Sequence, residues 1–560
     1  MRRLVPLLAA LALAGPASIA ATAEGSTDGT VVVTLSGTLD LRPEPDFFGH
    51  HEASLHEATV DLRKALRGPE KTVVLDLSSG FEGSLAAAEE LASVVRAEKA
   101  TVAGRTVTCL LDGNGDSSLA LASACDRVVM ADAGLLDIDG ISIESLYFAD
   151  ALAKAGVRFH AVASGAHKTA HEPFTRNAPS PEGAAEFEEL AKSLDRVLLD
   201  LSQRPGLERA DIQAARAKAP QTPELAKELK LVDATAEPGA WLAKLPEPVR
   251  WQGDEAGKAP EPAGMAGMMQ LMTKLLQGDS APHYAKAVAV IELAGEITGG
   301  DSTPGRSIGP DDTCRMLDEI ADDERIPAVV LRMDSPGGDA GASDRIHHAV
   351  RRLAEKKPVV ALFDAVSASG GYYIGCAADE ILVHRATITG SIGVFALVPD
   401  AGGTLDLLGI HRFAVSTGPR ADLMSLTAPF SPEREAGLRQ IVEDVDKRFQ
   451  GLVAERRKLD PAKVAELAGG RVFTGEQAVG NGLADGFGTL ASAVAAARKR
   501  AKIDEQLPLE RYPRDRGLFS RLGLGGVSAV LPRAAWRLQR LAALQRIQVM
   551  AWADIPGRIR

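Results

Sequence analysis

Short apolar, β-branched runs alternate along this chain with longer stretches whose apolar positions recur every three or four residues. "PAVVLRMD" (327–334) and "PVVALFDAV" (358–366) read as strands, and "ASDRIHHAVRRLAEKK" (342–357) between them reads as a helix. The alternation predicts an α/β fold, with β-α units around a mostly parallel sheet and helices flanking it. Parallel strands carry their following turns to one edge of the sheet. Here those turns are "SPGG" and "SASGG", so Ser369, Gly337 and Gly338 are expected to meet at the carboxyl edge, where ligands of α/β proteins bind.

The pattern occurs twice. "KTVVLDLSSGFEGSLAAAEELASVVRAEKA" from Lys71 resembles the segment from Pro327, and "VTCLLDGNGDSSLALASACDRVVMADAG" from Val107 resembles "VVALFDAVSASGGYYIGCAADEILVHRAT" from Val359. A constant offset of 253 relates Asp126 to Asp379, Gly140 to Gly393 and Gly165 to Gly418. "SPEGAAEFEEL" and "SPEREAGLRQI" add a further match. The expected organisation is an N-terminal export segment over 1–23, repeat 1 over 28–240, a Pro/Gly/Met-rich linker over 241–284, repeat 2 over 285–505 and a basic C-terminal segment over 506–560.

The two copies differ where chemistry would sit. A serine needs a base to take its proton and backbone N–H groups to hold the oxyanion. Gly370, next to Ser369, opens a helix whose first N–H groups have no helical acceptor. A Gly-Gly turn can serve packing alone, but the 253 offset sets Asp116 opposite Ser369, and the 256 offset of the aligned "VVL" strands sets Phe81 and Glu82 opposite Gly337 and Gly338. Only repeat 2 keeps the small residues. Conversely, Lys168 of repeat 1, in "SGAHKTAHEPF", corresponds to Ala421 of repeat 2. A lone lysine is ordinarily a solvated charge, yet this one belongs to the copy without the serine. Packing of the repeats would assemble a Ser/Lys dyad, with Ser369 the nucleophile and Lys168 the general base. Its amine must then be neutral, requiring a fall from about 10.4 towards roughly 7 to 8 by desolvation, which costs on the order of 4 kcal/mol.

"SPGG", "SASGGYY", "TGSIG" and "SGAHKTAHEPF" together resemble the signal peptide peptidase A family in its long, tandem-repeat form, over about 28–505. The resemblance implies two Clp-protease/crotonase-like repeats and a membrane-associated serine endopeptidase that degrades cleaved signal peptides and other hydrophobic peptides through an acyl-enzyme. It also implies oxyanion N–H groups from Gly338 and Gly370, a hydrogen bond from Ser391 that orients the lysine, a homo-oligomer (a tetramer), and no cofactor or metal. His167 and His171 flank Lys168 and could tune it or compete as base. A non-catalytic membrane scaffold of the same fold, which would leave a serine-reactive probe unbound, and a crotonase-type acyl-CoA enzyme, which would bind acyl-CoA, are the alternatives.

The formal charge of −12 argues against a nucleic-acid partner. Arg2, Arg3, the weakly polar run Leu4–Ala23 and the A-x-A pattern at Ala21 to Ala23 predict export. Cleavage would leave the protein in the periplasm, and retention would anchor it on the periplasmic side of the inner membrane. The four cysteines lack C-x-x-C spacing and are expected to be buried free thiols. "GRSIG" around Ser307 follows loop rather than strand, and "HEASLH" (51–56) has spacing unsuited to one helix face, so neither is taken as a serine elbow or a metal site. "LPRAAWRLQRLAALQRIQVMAW" (531–552) is expected to form a basic amphipathic helix that lies on a membrane or docks on protein.

Overall fold

The computed structural model describes residues 28–44, 52–252, 284–514 apart from 419 and 424, and the backbone of 549–552. Each repeat is built on a sheet with both faces covered. In repeat 1 six parallel strands run in the order Ala234–Ala236, Arg127–Ala131, Thr106–Leu111, Thr72–Asp76, Thr30–Thr34, Val249–Gln252. In repeat 2 the order is Val472–Thr474, Ile388–Gly390, Val359–Ala368, Ala328–Ser335, Val288–Ala294, Leu509–Tyr512, with Glu380–Val383 also on Val359–Ala368 and Gly486–Phe487 beyond it. All these pairs are parallel except Ile388–Gly390 with Val472–Thr474.

Near-continuous apolar strands follow from that double burial. Val31 and Val33 enter one core cluster and Val32 the other; Val329 and Leu331 likewise separate from Val330. The larger cluster of repeat 1 also takes in Ala386 and Ile388 of repeat 2, so the two copies share apolar packing. The "SPE" motifs start the two long helices. Ser180 caps Pro181–Leu201 and Ser431 caps Pro432–Arg457, each accepting a backbone N–H, with proline in the first turn. The expected helix after "SPGG" spans Ala340–Lys356 and is capped by the Asp339 carboxylate.

Four expectations change. "SPGG" is not a simple turn, because Gly337–Asp339 forms a short strand in which Gly338 pairs with Ile297. Its counterpart in repeat 1 is the bridge from Gly37 to Phe81, so Phe81 matches Gly338 rather than Gly337. The sheets run past the expected repeat boundaries: Val249–Gln252, within the expected linker, pairs with Thr30–Thr34, and Leu509–Tyr512 pairs with Val288–Ala294. Each gives an otherwise open first strand a parallel neighbour. Finally, Val549–Trp552, expected at the end of an amphipathic helix, is a strand with a neighbour on both sides. The rest of that expected helix and the export segment lie outside the described residues. All four cysteines are free; Cys314 is only half-buried.

A third, smaller sheet joins the repeats. Arg158–Ala163 of repeat 1 runs antiparallel to Phe395–Asp400 of repeat 2, from Ala163 opposite Phe395 to Arg158 opposite Asp400. The ribbon delivers the chain directly into the segment that carries Lys168.

Candidate active site

Val359–Ala368 ends in the sheet of repeat 2, and Gly370–Gly375 begins a helix immediately after it. Ser369, between them, has φ 53° and ψ −113°, a conformation that L residues avoid. Neighbouring hydrogen bonds hold it there: its N–H donates to Gly390 O at 2.8 Å and its carbonyl accepts from Tyr373 N at 2.8 Å. A sharp strand-to-helix turn of this kind presents a side-chain oxygen at the sheet edge. Ser369 is fully buried.

Repeat 1 brings its lysine to this oxygen. Lys168 Nζ donates to Ser369 Oγ at 2.7 Å, to Ser391 Oγ at 2.9 Å and to the Ser391 carbonyl at 3.1 Å. Lys168 and Ser391 are each 1% exposed. Burial to that degree disfavours an ammonium relative to a neutral amine. Ser391 also has a positive φ, 50°, and its N–H donates to Arg471 O at 2.6 Å.

Two glycines missed in the sequence make this meeting possible. A Cβ on Gly470 would lie 2.4 Å from the Lys168 backbone, and one on Gly165 would lie 2.3 Å from Gly469 Cα. His167 N donates to Gly469 O at 3.0 Å, and Gly470 N to Ile392 O at 2.9 Å. The pair in "LAGGRVF" therefore clamps the lysine segment against the Ser391 segment. Its signal was present as a Gly-Gly dipeptide before a short strand, but with no chemistry-bearing side chain beside it. Ser164 adds a second tie, donating to Asp446 Oδ1 at 2.9 Å and accepting from Val394 N at 2.9 Å. Burial raises the Asp446 carboxyl, while hydrogen bonds from Ser164 and Gln450 oppose the shift.

Gly338 lies along the same edge. Its φ is 151°, and a Cβ there would meet Ile297 O at 2.0 Å, so only glycine fits. A Cβ on Gly371 would meet Ser335 O at 2.7 Å, so the helix start sits close on the "SPGG" backbone. The flanking histidines are placed differently. His171 Nδ1 pairs with Thr175 Oγ1 at 3.2 Å, its ring 6.0 Å from that of Phe395. Burial lowers the pKa of both His167 and His171, with nearby carboxylates opposing the shift. Ser307 lies in the short strand Ser307–Ile308, where its Oγ accepts from Thr303 N.

In repeat 1 the matching turn is filled. Asp116 begins the helix Asp116–Ala122 and accepts from Gly140 N at 3.0 Å and Asp139 N at 3.2 Å, with burial pushing its carboxyl up to about 6. Ala421, the counterpart of Lys168, is exposed. Among the described residues this serine-lysine pair draws one partner from each copy.

The profile of Peptidase family S49 matches residues 103–247 and 351–504, one segment in each repeat. The chain is 29% identical to Protease 4 of Salmonella typhi over 541 residues, covering 91% of this chain and 85% of that one. It is 31% identical to Protease 4 of Haemophilus influenzae over 500 residues, covering 85% and 79%. It is 27% identical to the chloroplastic serine protease SPPA of Arabidopsis thaliana over 391 residues, covering 68% and 56%. The two sheets, the repeated profile and the matched length lead to one conclusion: the chain belongs to peptidase family S49, a family of serine peptidases.

Proposed function

We propose that the chain cleaves hydrophobic peptides, among them signal peptides left in a membrane, with a dyad drawn from both repeats. Supporting this most directly is the 2.7 Å bond between Lys168 Nζ and Ser369 Oγ, formed between side chains almost wholly out of water. Lys168, as a neutral amine, takes the Ser369 proton while Oγ attacks the scissile carbonyl. The N–H groups of Gly338 and Gly370 receive the oxyanion. Lys168 then hands its proton to the leaving amine, which yields the acyl-enzyme and the first product. Water, deprotonated by Lys168, attacks the ester; the acyl–Oγ bond breaks, Lys168 returns the proton to Ser369 Oγ, and the second product leaves as the carboxylic acid. The bonds from Lys168 to Ser391 fix the amine's direction throughout.

Membrane association is part of the same reading. It is supported by the apolar run Leu4–Ala23 and by exposed apolar residues between Leu407 and Val415, including Phe413 at 91% exposure. Among the described residues no helix is long and apolar enough to cross a membrane. An oligomer that encloses the sites rests on the family resemblance and is tested by sedimentation of the detergent-free protein.

The reading is tested by cleavage of a leucine-rich fluorogenic peptide, with folding checked by circular dichroism. Ser369→Ala and Lys168→Ala are each expected to fold and to lose activity by about 10²-fold or more. Full activity in folded Lys168→Ala would place the base elsewhere.

A further inference from the structure

The helices Pro181–Leu201 and Pro432–Arg457 start on the same "SPE" motif, and the offset of 251 that relates Ser180 to Ser431 also relates Asp195 to Asp446. In repeat 1 this helical carboxylate meets a cation that leads to the sealed turn: Arg216 lies 2.5 Å from Asp195 and 3.9 Å from Asp116, the counterpart of Ser369. In repeat 2 the turn keeps its serine, and the amine that reaches it is Lys168 of the other copy. Asp446 is buried and tied to the lysine segment. Its Oδ1 accepts from Ser164 Oγ at 2.9 Å and its Oδ2 from Gln450 Nε2 at 2.6 Å. Ser164 is pinned to Val394 as well, donating its N–H to Val394 O and accepting from Val394 N, both at 2.9 Å. One tight turn later, Lys168 N donates to Gly165 O at 3.2 Å. Asp446 thus stands one side-chain bond and one turn from the proposed base.

From this tether and the shared helical position, and resting on the proposed role of Lys168 as base, we infer that Asp446 is a positioning residue for the reaction. It aims the lysine segment through Ser164, and its negative charge balances the ammonium that Lys168 becomes on taking the Ser369 proton. That transfer creates a cation in a site nearly closed to water, where a fixed carboxylate acts strongly. Burial raises the Asp446 carboxyl, and the bonds from Ser164 and Gln450, together with Lys168 once protonated, oppose the rise. Such an interaction is mutual, so the Asp446 carboxylate favours the protonated amine. The neighbouring charges are engaged elsewhere. His167 faces Arg471, Glu182 and Glu189, and His171 faces Glu172 and Arg176. On the elements packed against the helix, His160 lies 3.7 Å from Asp400 and Lys463 3.0 Å from Glu466, while Arg448 of the helix itself holds Asp344 at 2.8 Å.

The test is the rate at which a fluorophosphonate modifies Ser369 of the full-length protein, followed across pH. Asp446→Asn keeps an oxygen that accepts from Ser164 and removes the charge. It is expected to move the acidic midpoint of the profile to lower pH by about half a unit or more, because the ammonium loses its counter-charge, and to lower the plateau by about tenfold. The same midpoint shift is expected in a His171→Ala background, and Asp446→Glu should return the midpoint towards that of the wild type. Ser164→Ala, which keeps the charge and cuts the tether, is expected to lower the plateau by about threefold or more at an unmoved midpoint. A wild-type midpoint in folded Asp446→Asn, a shift of equal size in Asp446→Glu, or a wild-type plateau in Ser164→Ala would each overturn the inference. Lys168→Ala separates the two readings: labelling of that variant at the wild-type rate refutes the dyad itself, whereas a slow Lys168→Ala beside an unmoved Asp446→Asn midpoint overturns the role of Asp446 alone.

Discussion

At the scale of residues, the site depends on backbone that most side chains would not tolerate. Ser369 and Ser391 both have positive φ, and Gly338 sits where a Cβ would overlap Ile297 O. Gly338→Ala is therefore expected to shift the strand proposed to supply an oxyanion N–H and to reduce kcat by about 10²- to 10³-fold, the usual cost of losing one such donor. Ser391→Ala should leave the fold intact and remove one of the bonds that aim Lys168, lowering kcat more than it raises KM. His171→Ala is expected to change kcat by less than about threefold, because its ring bonds Thr175. A large loss in that variant, measured with the same fluorogenic peptide, would reinstate the imidazole as base. Ser369 and Lys168 were legible in the sequence only through comparison of the copies, since neither a "SGG" turn nor a single lysine is informative alone. Gly469 and Gly470 were not legible, because what they do is admit a backbone from 300 residues away in sequence.

At the scale of elements, repeat 1 is docked by buried charge as well as apolar surface. Its helix Leu85–Glu98 presents Glu90 to Leu490 N at 3.0 Å and Glu89 to Arg385 N at 2.9 Å, both in repeat 2. His384, fully buried, lies 3.6 Å from Glu90 and 3.8 Å from Asp364, and Asp364 holds buried Arg332 through bonds of 2.8 and 2.7 Å. Desolvation depresses the His384 imidazole, but Asp364, Glu89 and Glu90 outweigh it and leave its pKa raised. A raised pKa stabilises the folded state fully below the unfolded value of about 6.5, and the contribution is lost as pH rises through the folded value. Urea midpoints of the wild type should therefore fall on the alkaline side, and His384→Gln should flatten that fall; identical curves would exclude the imidazole as the titrating group. Asp364→Ala, which strands the Arg332 guanidinium, is expected to cost about 3–5 kcal/mol in the same assay. The sequence revealed the β-α order and the "SPE" caps because each is a local pattern. It concealed the edge strands "VRWQ" and "LERY", which are four residues long, of mixed polarity, and bonded to the sheet on one side only.

At the scale of the whole molecule, the two copies share an architecture and differ at their turns. Each copy retains a sheet, a capped long helix and a turn at the carboxyl edge. Repeat 1 has sealed its turn with Asp116, and repeat 2 has turned its counterpart of the lysine segment outward. Restoring a serine to the sealed turn should therefore achieve nothing: Asp116→Ser in a Ser369→Ala background is expected to remain inactive on the fluorogenic peptide. The tandem arrangement was readable from the constant offset, but how the copies face each other was not, because the antiparallel ribbon pairs residues 158–163 with 395–400 and neither run announces its partner.

The most direct test of a dyad shared between repeats is the rate at which a fluorophosphonate modifies Ser369, followed by mass spectrometry of the modified peptide. Wild type should be labelled on Ser369, and folded Lys168→Ala should react about 10²- to 10⁴-fold more slowly, the range that a positioned general base contributes. Labelling of Ser369 at the wild-type rate in Lys168→Ala would contradict the shared dyad.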